Sequence, residues 1–172
     1  MTERMTEYRW FWVWDFEKEE RWLNEKAANG WALAEVGFCR YTFERTDYNE
    51  YTVRMEMHPY EEDYIDFMEE TGAEYIGRVF QWIYFRKPSE LGRFDIFSDI
   101  DSKLSHINKI HRLVFTLGIL NLIFGIMNCV IPGEMNSIVS VFNLLVATLL
   151  MYGVGRLQGK IEYLENERRL RE

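Results

Sequence analysis

The 172-residue sequence predicts an α+β domain followed by a hairpin of two transmembrane helices. Three observations support this fold class. Strand and helix signals alternate over the first 90 residues, an internal repeat divides that region into similar halves, and residues 113–155 hold a single charged side chain, Glu134. A chain of this length has room for one modest soluble domain, so the uncharged stretch indicates a membrane segment.

The order of elements begins with a strand and a helix. Residues 8–14 (YRWFWVW) are dense in aromatic side chains, which favour strands. Asp15 is suited to cap a helix over residues 17–29, and Gly30 supplies its stop. The signals that follow predict a strand over 31–45 with a bend at Gly37, a strand over 50–57, a helix from Pro59 to Thr71 and a strand over 73–87.

An internal repeat with a period of 42 residues supports a division into two βαβ halves. The shift aligns Glu20 with Glu62, Trp22 with Tyr64, Leu23 with Ile65, Gly30 with Gly72, Phe38 with Phe80 and Phe43 with Phe85. Two βαβ halves of this length predict a ferredoxin-like βαββαβ domain over residues 1–88. In that fold, two helices cover one face of a four-stranded antiparallel sheet.

The predicted sheet carries aromatic side chains on both faces. Along residues 8–14, Phe11 and Val13 point one way, and the tyrosine and three tryptophans point the other. One face packs on the helices, so the other needs a cover, which we expect to be a second copy, a hydrophobic ligand or a partner protein. The candidate binding residues are Trp10, Trp12, Trp14, Arg54, Glu56, Phe80, Trp82 and Tyr84. The alternative for Arg54 and Glu56 is an ion pair on a solvated face.

Two apolar runs, residues 113–131 and 137–155, form the predicted hairpin over 113–155. Each has 19 residues, which as a helix measures roughly 28 Å, about the thickness of the bilayer interior. The link at 132–136 is a short turn that contains Pro132 and Gly133. The alternative is a soluble helical hairpin, but two successive charge-free helices exceed what a small core normally buries.

Small and polar residues recur at helical spacing within both runs. They predict the contact between the two helices, because small residues let backbones approach and asparagine finds hydrogen-bond partners across a helix pair. The predicted packing residues are Gly118, Asn121, Gly125, Asn128, Ser140, Asn143 and Ala147. The alternative is a polar path in the bilayer, against which the absence of Asp, Glu, Lys and Arg within the two runs argues.

Charged flanks predict the orientation of the hairpin. Lysine and arginine precede the first run and follow the second, whereas the link has neither. The positive-inside bias therefore predicts two spans in the cytoplasmic membrane with both termini in the cytoplasm. Residues 89–112 predict an amphipathic juxtamembrane helix, with Ser98 and Asp101 as its capping pair, and residues 156–172 predict an amphipathic cytoplasmic tail.

Composition limits the function classes. Residues 1–101 hold 23 acidic and 12 basic side chains, a net charge of −11, so we expect no direct binding of nucleic acid or of an anionic leaflet by the domain. His58 lies near the acidic run at 61–63, but helix N-termini favour such residues in any case. We find no catalytic residues, no metal site and no cofactor fingerprint, and expect a protein that is not an enzyme.

Four segments resemble a known family. They are WDFEKEERWLNEKAANGWAL at 14–33, YTFER at 41–45, EYTVRME at 50–56 and YFRK at 84–87. Trp22, Leu23, Ala27, Gly30 and Trp31 match the shape of the first motif. The pattern resembles the bacterial family called domain of unknown function 2812. The resemblance implies a membrane hairpin and frequent gene neighbours that encode PadR-like transcriptional regulators, hence a regulatory role. It implies no established activity or catalytic residue.

Three hypotheses follow from the sequence. The leading one is a membrane-anchored cytoplasmic sensory or interaction module that binds a hydrophobic small molecule or a protein partner through its aromatic face. The first alternative is a homodimeric scaffold subunit of a membrane complex such as a transporter. The second alternative is a plait-fold enzyme that uses Arg54, Glu56 and His58, which rests on fold analogy alone.

Overall fold

The N-terminal part of the chain is a tandem of two β-α-β-β repeats. In the computed structural model, which describes residues 3–97 and 99–171, the chain divides into two units, Met1–Ser98 and Asp99–Glu172. The first unit contains β1 (Arg4–Tyr8), α1 (Phe16–Ala28), β2 (Trp31–Gly37), β3 (Arg40–Arg45), β4 (Tyr51–Met57), α2 (Glu62–Glu70), β5 (Glu74–Val79) and β6 (Trp82–Pro88). The second contains α3 (Ile100–Val130) and α4 (Glu134–Arg171).

Each repeat forms its own three-stranded antiparallel sheet. The strand orders are β1-β3-β2 and β4-β6-β5, so the third strand of each repeat lies in the centre. The predicted α+β class with a helical hairpin is therefore confirmed. The ferredoxin-like topology is not, because the first unit has six strands in two sheets where that fold has four strands in one.

The two additional strands arise from hairpins in segments that the sequence predicted to be single strands. Residues 31–45 fold back at Phe38 and Cys39, and residues 73–87 fold back at Phe80 and Gln81. Cys39 (φ 55°) and Phe80 (φ 54°) adopt the left-handed conformation that such turns require. Neither turn has glycine or asparagine, which normally mark this conformation, at its two central positions. Gly37, where the sequence predicted a bend, directly precedes the first turn.

The first strand lies earlier than predicted. It covers Arg4–Tyr8 rather than residues 8–14, and the Arg9 N–H donates the last bond of the ladder to the Cys39 carbonyl (3.0 Å). Beyond that bond β3 turns back into its hairpin, so the following aromatic residues have no strand to pair with. They leave the sheet and enter a short 3-10 turn at Val13–Asp15.

The helices of the first unit pack on the sheets through periodic apolar residues. α1 matches the predicted helix within one residue and buries Trp22, Leu23 and Ala27. α2 begins at Glu62 rather than Pro59, because Glu61 is still extended (φ −132°, ψ 124°). It packs on the second sheet with a cluster that comprises Ile65, Met68, Ala73, Ile83, Phe85 and Phe94.

Polar side chains of α1 cover the outer edge of β4. The Asn24 amide donates to the Val53 carbonyl (2.9 Å) and accepts from the Val53 N–H (2.9 Å). The Met55 N–H donates to the Glu20 carboxylate (3.2 Å). These bonds replace a neighbouring strand and satisfy an edge that would otherwise pair with another chain.

The corresponding edge of the first repeat has no such cover. Bonds from the Arg45 N–H to the Glu3 carbonyl and from the Arg9 N–H to the Cys39 carbonyl fix the pattern of the β1–β3 ladder. The backbone groups of Arg4, Thr6 and Tyr8 therefore point away from β3. Within the described residues, no hydrogen bond reaches these outward groups. β1 is thus an open edge strand.

The second unit is a pair of long antiparallel helices. α3 begins at Ile100, and its capping box uses Asp99 and Ser102; Ser98 of the predicted pair lies outside the described residues. The predicted helix over 89–112 is therefore wrong in its first part. Residues 89–91 form a 3-10 turn. Phe94 packs in the core of the first unit and therefore does not belong to the apolar face of the predicted helix. The predicted tail is continuous with α4.

The two helices contact each other through small residues. The Ser140 hydroxyl donates to the Gly125 carbonyl (2.7 Å). A Cβ at Gly125 would lie 2.8 Å from the Leu144 side chain, and one at Gly118 would lie 2.9 Å from Met151. Ala147 is buried as well. The three predicted asparagines, Asn121, Asn128 and Asn143, instead donate to carbonyls four residues earlier in their own helices.

Candidate functional site

Four aromatic side chains gather at one end of the two sheets. Phe38 lies in the β2–β3 turn, Phe80 lies in the β5–β6 turn, and Trp10 and Trp12 follow β1. The ring centroids of Trp10 and Trp12 lie 5.3 Å apart, those of Trp10 and Phe38 5.7 Å, and those of Phe38 and Phe80 5.7 Å, all edge to face. We call these four residues the aromatic tip.

The aromatic tip is a surface feature. Phe80 is 79% exposed, Phe38 63%, Trp10 55% and Trp12 40%. Clusters of exposed aromatic rings are uncommon on soluble domains, so these four neighbouring rings are the candidate site of the first unit.

The conformation of Phe80 is unfavourable in itself. A bulky residue at a φ of 54° costs about 1 kcal/mol or more relative to glycine, because its Cβ crowds the backbone. An exposed side chain gains nothing from the core in return. Residues held in rare conformations without a packing reason cluster at functional sites, so Phe80 is the most informative residue of the aromatic tip.

The charge around the aromatic tip is locally positive. Three segments form the aromatic tip, residues 8–14, 36–41 and 77–83. They contain Arg9, Arg40 and Arg78 and no acidic residue. All three arginines are exposed. The guanidinium of Arg9 lies over the rings of Phe11 and Trp22 (5.0 Å to each centroid).

The acidic residues that flank the first two segments are paired with cations. The ion pairs are Glu7 with Lys26, Glu35 with Arg4 (3.1 Å) and Asp15 with Lys18 (2.9 Å). Their negative charge is thus offset locally, although the domain as a whole is acidic.

The structure separates the eight residues that the sequence predicted to share one binding face. Trp10, Trp12 and Phe80 belong to the aromatic tip, and Trp14 stacks beneath Trp12 (5.1 Å) but is buried. Trp82 packs against Phe16 (5.5 Å). The other three have contacts outside the aromatic tip, with Glu20 and Asp95 for Arg54, Tyr64 for Glu56 and Glu19 for Tyr84.

Sequence reasoning missed Phe38 as a member of the site. The repeat alignment contained the necessary signal, because it pairs Phe38 with Phe80, and both residues occupy the turn of a hairpin. Without knowledge of the two hairpins, Phe38 was assigned to the middle of a strand.

Tyr84 takes part in a buried hydrogen-bond cluster. Its hydroxyl donates to Glu19 (2.6 Å), and the Tyr41 hydroxyl donates to the same carboxylate oxygen (2.8 Å). Burial raises the pKa of Glu19 above its ordinary value, although the two tyrosine hydrogen bonds lower it in part. We call Glu19, Tyr41 and Tyr84 the carboxylate clasp, because it joins α1 to the central strands of both sheets.

Arg86 forms a second link between the sheets. Its guanidinium donates to Glu44 (2.6 Å) and to the Leu33 carbonyl (3.0 Å) in the first sheet, and to Glu74 (2.6 Å) in its own. Burial by itself lowers the pKa of Arg86, but the hydrogen bonds to both carboxylates outweigh burial and raise it. The side chain therefore stays charged.

The predicted polar group of Arg54, Glu56 and His58 forms only in part, because Glu56 and His58 share the partner Tyr64 whereas Arg54 contacts other residues. Arg54 lies 3.5 Å from both Glu20 and Asp95, and Glu56 is buried and accepts from the Tyr64 hydroxyl. The His58 ring stacks on Tyr64 (4.2 Å). Within residues 3–97 and 99–171, no group of three or more histidine, cysteine or acidic side chains is placed to hold a metal ion.

Both helices of the second unit are long and apolar enough to cross a membrane. Only 17% of the most apolar 18-residue stretch of each is buried, whereas a core helix of a soluble protein would be mostly buried. Large apolar side chains are exposed along both helices, among them Phe124 (51%) and Phe142 (66%).

Comparison with known proteins places the chain in a family. No curated protein and no solved structure matches the chain. The family described as Protein of unknown function (DUF2812) matches residues 15–119, which comprise most of the first unit from α1 onward and the first part of α3. The chain therefore belongs to the DUF2812 family.

Proposed function

We propose that this protein is a membrane-anchored interaction module. α3 and α4 cross the cytoplasmic membrane as a hairpin, both termini lie in the cytoplasm, and the first unit is a cytoplasmic domain that carries the aromatic tip. The observation that supports this proposal best is the exposed apolar surface of both helices, which is unfavourable in water and suits lipid. The link, which contains no lysine or arginine, and the basic flanks support the orientation.

Cysteine accessibility tests the span and its orientation. In a Cys39→Ser, Cys129→Ser background, we expect Glu134→Cys to react with a membrane-impermeant maleimide on intact cells. Glu165→Cys in the tail should react only after the membrane is opened. Labelling of Glu165→Cys on intact cells would contradict the orientation, and release of the protein by alkaline carbonate would contradict the span.

We also infer a regulatory role, in which occupancy of the aromatic tip alters a cytoplasmic partner. The first unit offers an exposed aromatic surface and, among its described residues, no group suited to bind a metal. The exposed aromatic surface supports a role in recognition. The gene neighbours implied by the family resemblance agree with regulation.

A second candidate function is a homodimeric scaffold, and the open edge of β1 favours it. An antiparallel pair of two β1 strands centred on Thr6 would use the outward backbone groups of Arg4, Thr6 and Tyr8 in both copies. The two sheets would then continue across the dimer. In this version the contact of the dimer is β1 and not the aromatic face that the sequence predicted.

Substitution of Thr6 tests the β1 dimer. Thr6→Pro removes an outward N–H and should convert a dimer into a monomer, as measured by light scattering in detergent. Thr6→Ala keeps that N–H and serves as the matched control. A monomeric wild-type protein at micromolar concentration, or a dimer that survives Thr6→Pro, would contradict this candidate.

A further inference from the structure

We propose that the aromatic tip binds the surface of an anionic lipid bilayer, with its rings at the level of the headgroups and Arg9 and Arg40 against the lipid phosphates. The inference rests on the membrane anchorage proposed above, because a tethered domain is always close to a bilayer. It identifies the occupant of a surface that no contact within the first unit covers.

The form of the aromatic tip favours a lipid surface over a protein pocket. Two of its four side chains lie in hairpin turns, and all four project into solvent. Projecting rings suit a deformable layer into which they penetrate. Tryptophan in particular is stable at the headgroup level, where its ring meets lipid and its indole N–H meets water.

The local charge favours anionic lipid. Residues 1–101 have a net charge of −11, which at long range opposes approach to such a surface and led to the prediction that the domain does not bind an anionic leaflet. Salt screens charges beyond about 8–10 Å, however, so only the groups near the contact determine its sign. There the three segments of the aromatic tip supply three exposed arginines and no carboxylate.

The acidic start of α2 indicates which side of the aromatic tip faces the lipid. The Arg78 guanidinium lies over the Tyr60 ring (4.7 Å), and Tyr60 leads into Glu61 and Glu62. Through this contact, Arg78 lies beside the acidic start of α2, whose charge repels anionic lipid. Arg9 and Arg40, whose flanking acidic residues are paired, are the arginines that we assign to the phosphates.

The unfavourable backbone of Phe80 supplies an independent argument. A turn selected for stability alone would carry glycine or asparagine at a φ of 54°. An exposed phenylalanine at this position lowers the stability of the domain but places an apolar ring in solvent at the β5–β6 turn. A phenylalanine at this position is expected if its ring enters the lipid bilayer.

Tryptophan quenching in nanodiscs measures the contact in the full-length protein. All six tryptophans lie at or before residue 82, so the emission reports on the first unit and not on α3 or α4. Nanodiscs of phosphatidylcholine, with and without phosphatidylglycerol, carry bromine on the acyl chains near the headgroup. We expect stronger quenching with phosphatidylglycerol and a loss of the difference at high salt.

Two sets of variants identify the surface. Phe38→Ser with Phe80→Asn keeps every tryptophan and should abolish the additional quenching, while the thermal midpoint stays the same or rises because asparagine tolerates the left-handed turn. Phe67→Ser with Tyr48→Ser removes two other exposed rings (58% and 69%) and should leave quenching unchanged.

A charge reversal completes the test. Arg40→Glu should weaken docking at least fivefold, as expected for about one arginine at a lipid surface, whereas Arg21→Glu on α1 makes the same change in net charge and should have little effect. Equal quenching with and without phosphatidylglycerol, or equal effects of the two reversals, would overturn the proposal. Failure to co-elute with nanodiscs would instead contradict the membrane anchorage.

Discussion

Replacement of Glu19 by alanine is expected to lower the free energy of unfolding of the first unit by about 3 kcal/mol. Its carboxylate accepts hydrogen bonds from Tyr41 and Tyr84, and all three residues are buried. The variant leaves two buried hydroxyls without an acceptor, and each costs about 1–3 kcal/mol. Urea unfolding followed by tryptophan fluorescence measures the loss, because every tryptophan lies in this unit.

Two controls distinguish the carboxylate clasp from a general effect on α1. Glu25→Ala removes an exposed carboxylate from the same helix and should change stability by less than about 0.5 kcal/mol. Tyr84→Phe removes one hydrogen bond without creating a cavity and should cost about 1 kcal/mol. A loss for Glu19→Ala no larger than that for Glu25→Ala would contradict the role of the clasp.

The raised pKa of Glu19 gives this cluster a pH dependence with a definite sign. Burial disfavours the ionised carboxylate in the folded state, so the unfolded chain ionises first as the pH rises. The contribution of Glu19 to the free energy of unfolding is therefore full below the ordinary pKa of 4.5. It declines as the pH rises, until the pH exceeds the raised pKa of the folded state. Over that pH range, the free energy of unfolding of Glu19→Gln should rise relative to that of the wild type. The rise should be about 1.4 kcal/mol for each unit by which the pKa of Glu19 is shifted.

Replacement of Arg86 by methionine is expected to cost about 2–4 kcal/mol. The variant leaves the Glu44 carboxylate and the Leu33 carbonyl without their donor at the junction of the two sheets. Glu74 contributes less, because its side chain is 45% exposed and water can solvate it. Urea unfolding of the full-length protein measures the change.

Two variants show how specific the Arg86 contribution is. Arg86→Lys keeps the charge but offers one ammonium group in place of a planar fork, so it should recover only part of the stability. Arg93→Met removes an arginine that is 88% exposed and paired with Asp95, and should cost less than about 0.5 kcal/mol. Equal losses for Arg86→Met and Arg93→Met would contradict the link between the sheets.

Local patterns predicted the elements that depend on local forces. α1 has the predicted position within one residue, because its apolar period, acidic first turn and terminal Gly30 all act within a few residues. The long apolar helices are as evident in the sequence as in the structure, since only length and lack of charge define them. The 42-residue repeat correctly indicated two equivalent halves.

The topology was not predicted, because it depends on two reversals whose central residues carry no turn signal. Cys39 and Phe80 adopt positive φ angles that their side chains disfavour. The hydrogen bonds and packing gained when β2 pairs with β3, and β5 with β6, offset the cost of those conformations. A continuous strand and a hairpin therefore have almost the same sequence pattern in residues 31–45 and 73–87.

The aromatic tip was predicted in part for the same reason. Trp10, Trp12 and Phe80 were identified as candidates, because a surplus of aromatic residues is visible in composition alone. Which of these rings would be exposed depended on where each strand ends. Trp14 and Tyr84 lie inside the protein, and Phe38 joins the tip only because two hairpins from different sheets end side by side.

The sequence alone determined the family, the α+β class, the two equivalent halves and the two long apolar helices, because those properties follow from motifs, periodicity and composition. The tertiary structure decided the rest. It divided the strands into two sheets and left the edge of β1 open while α1 covers that of β4. It also brought together aromatic rings from three separate segments of the chain. These outcomes depend on pairing between residues far apart in the chain, and no local pattern encodes such pairing.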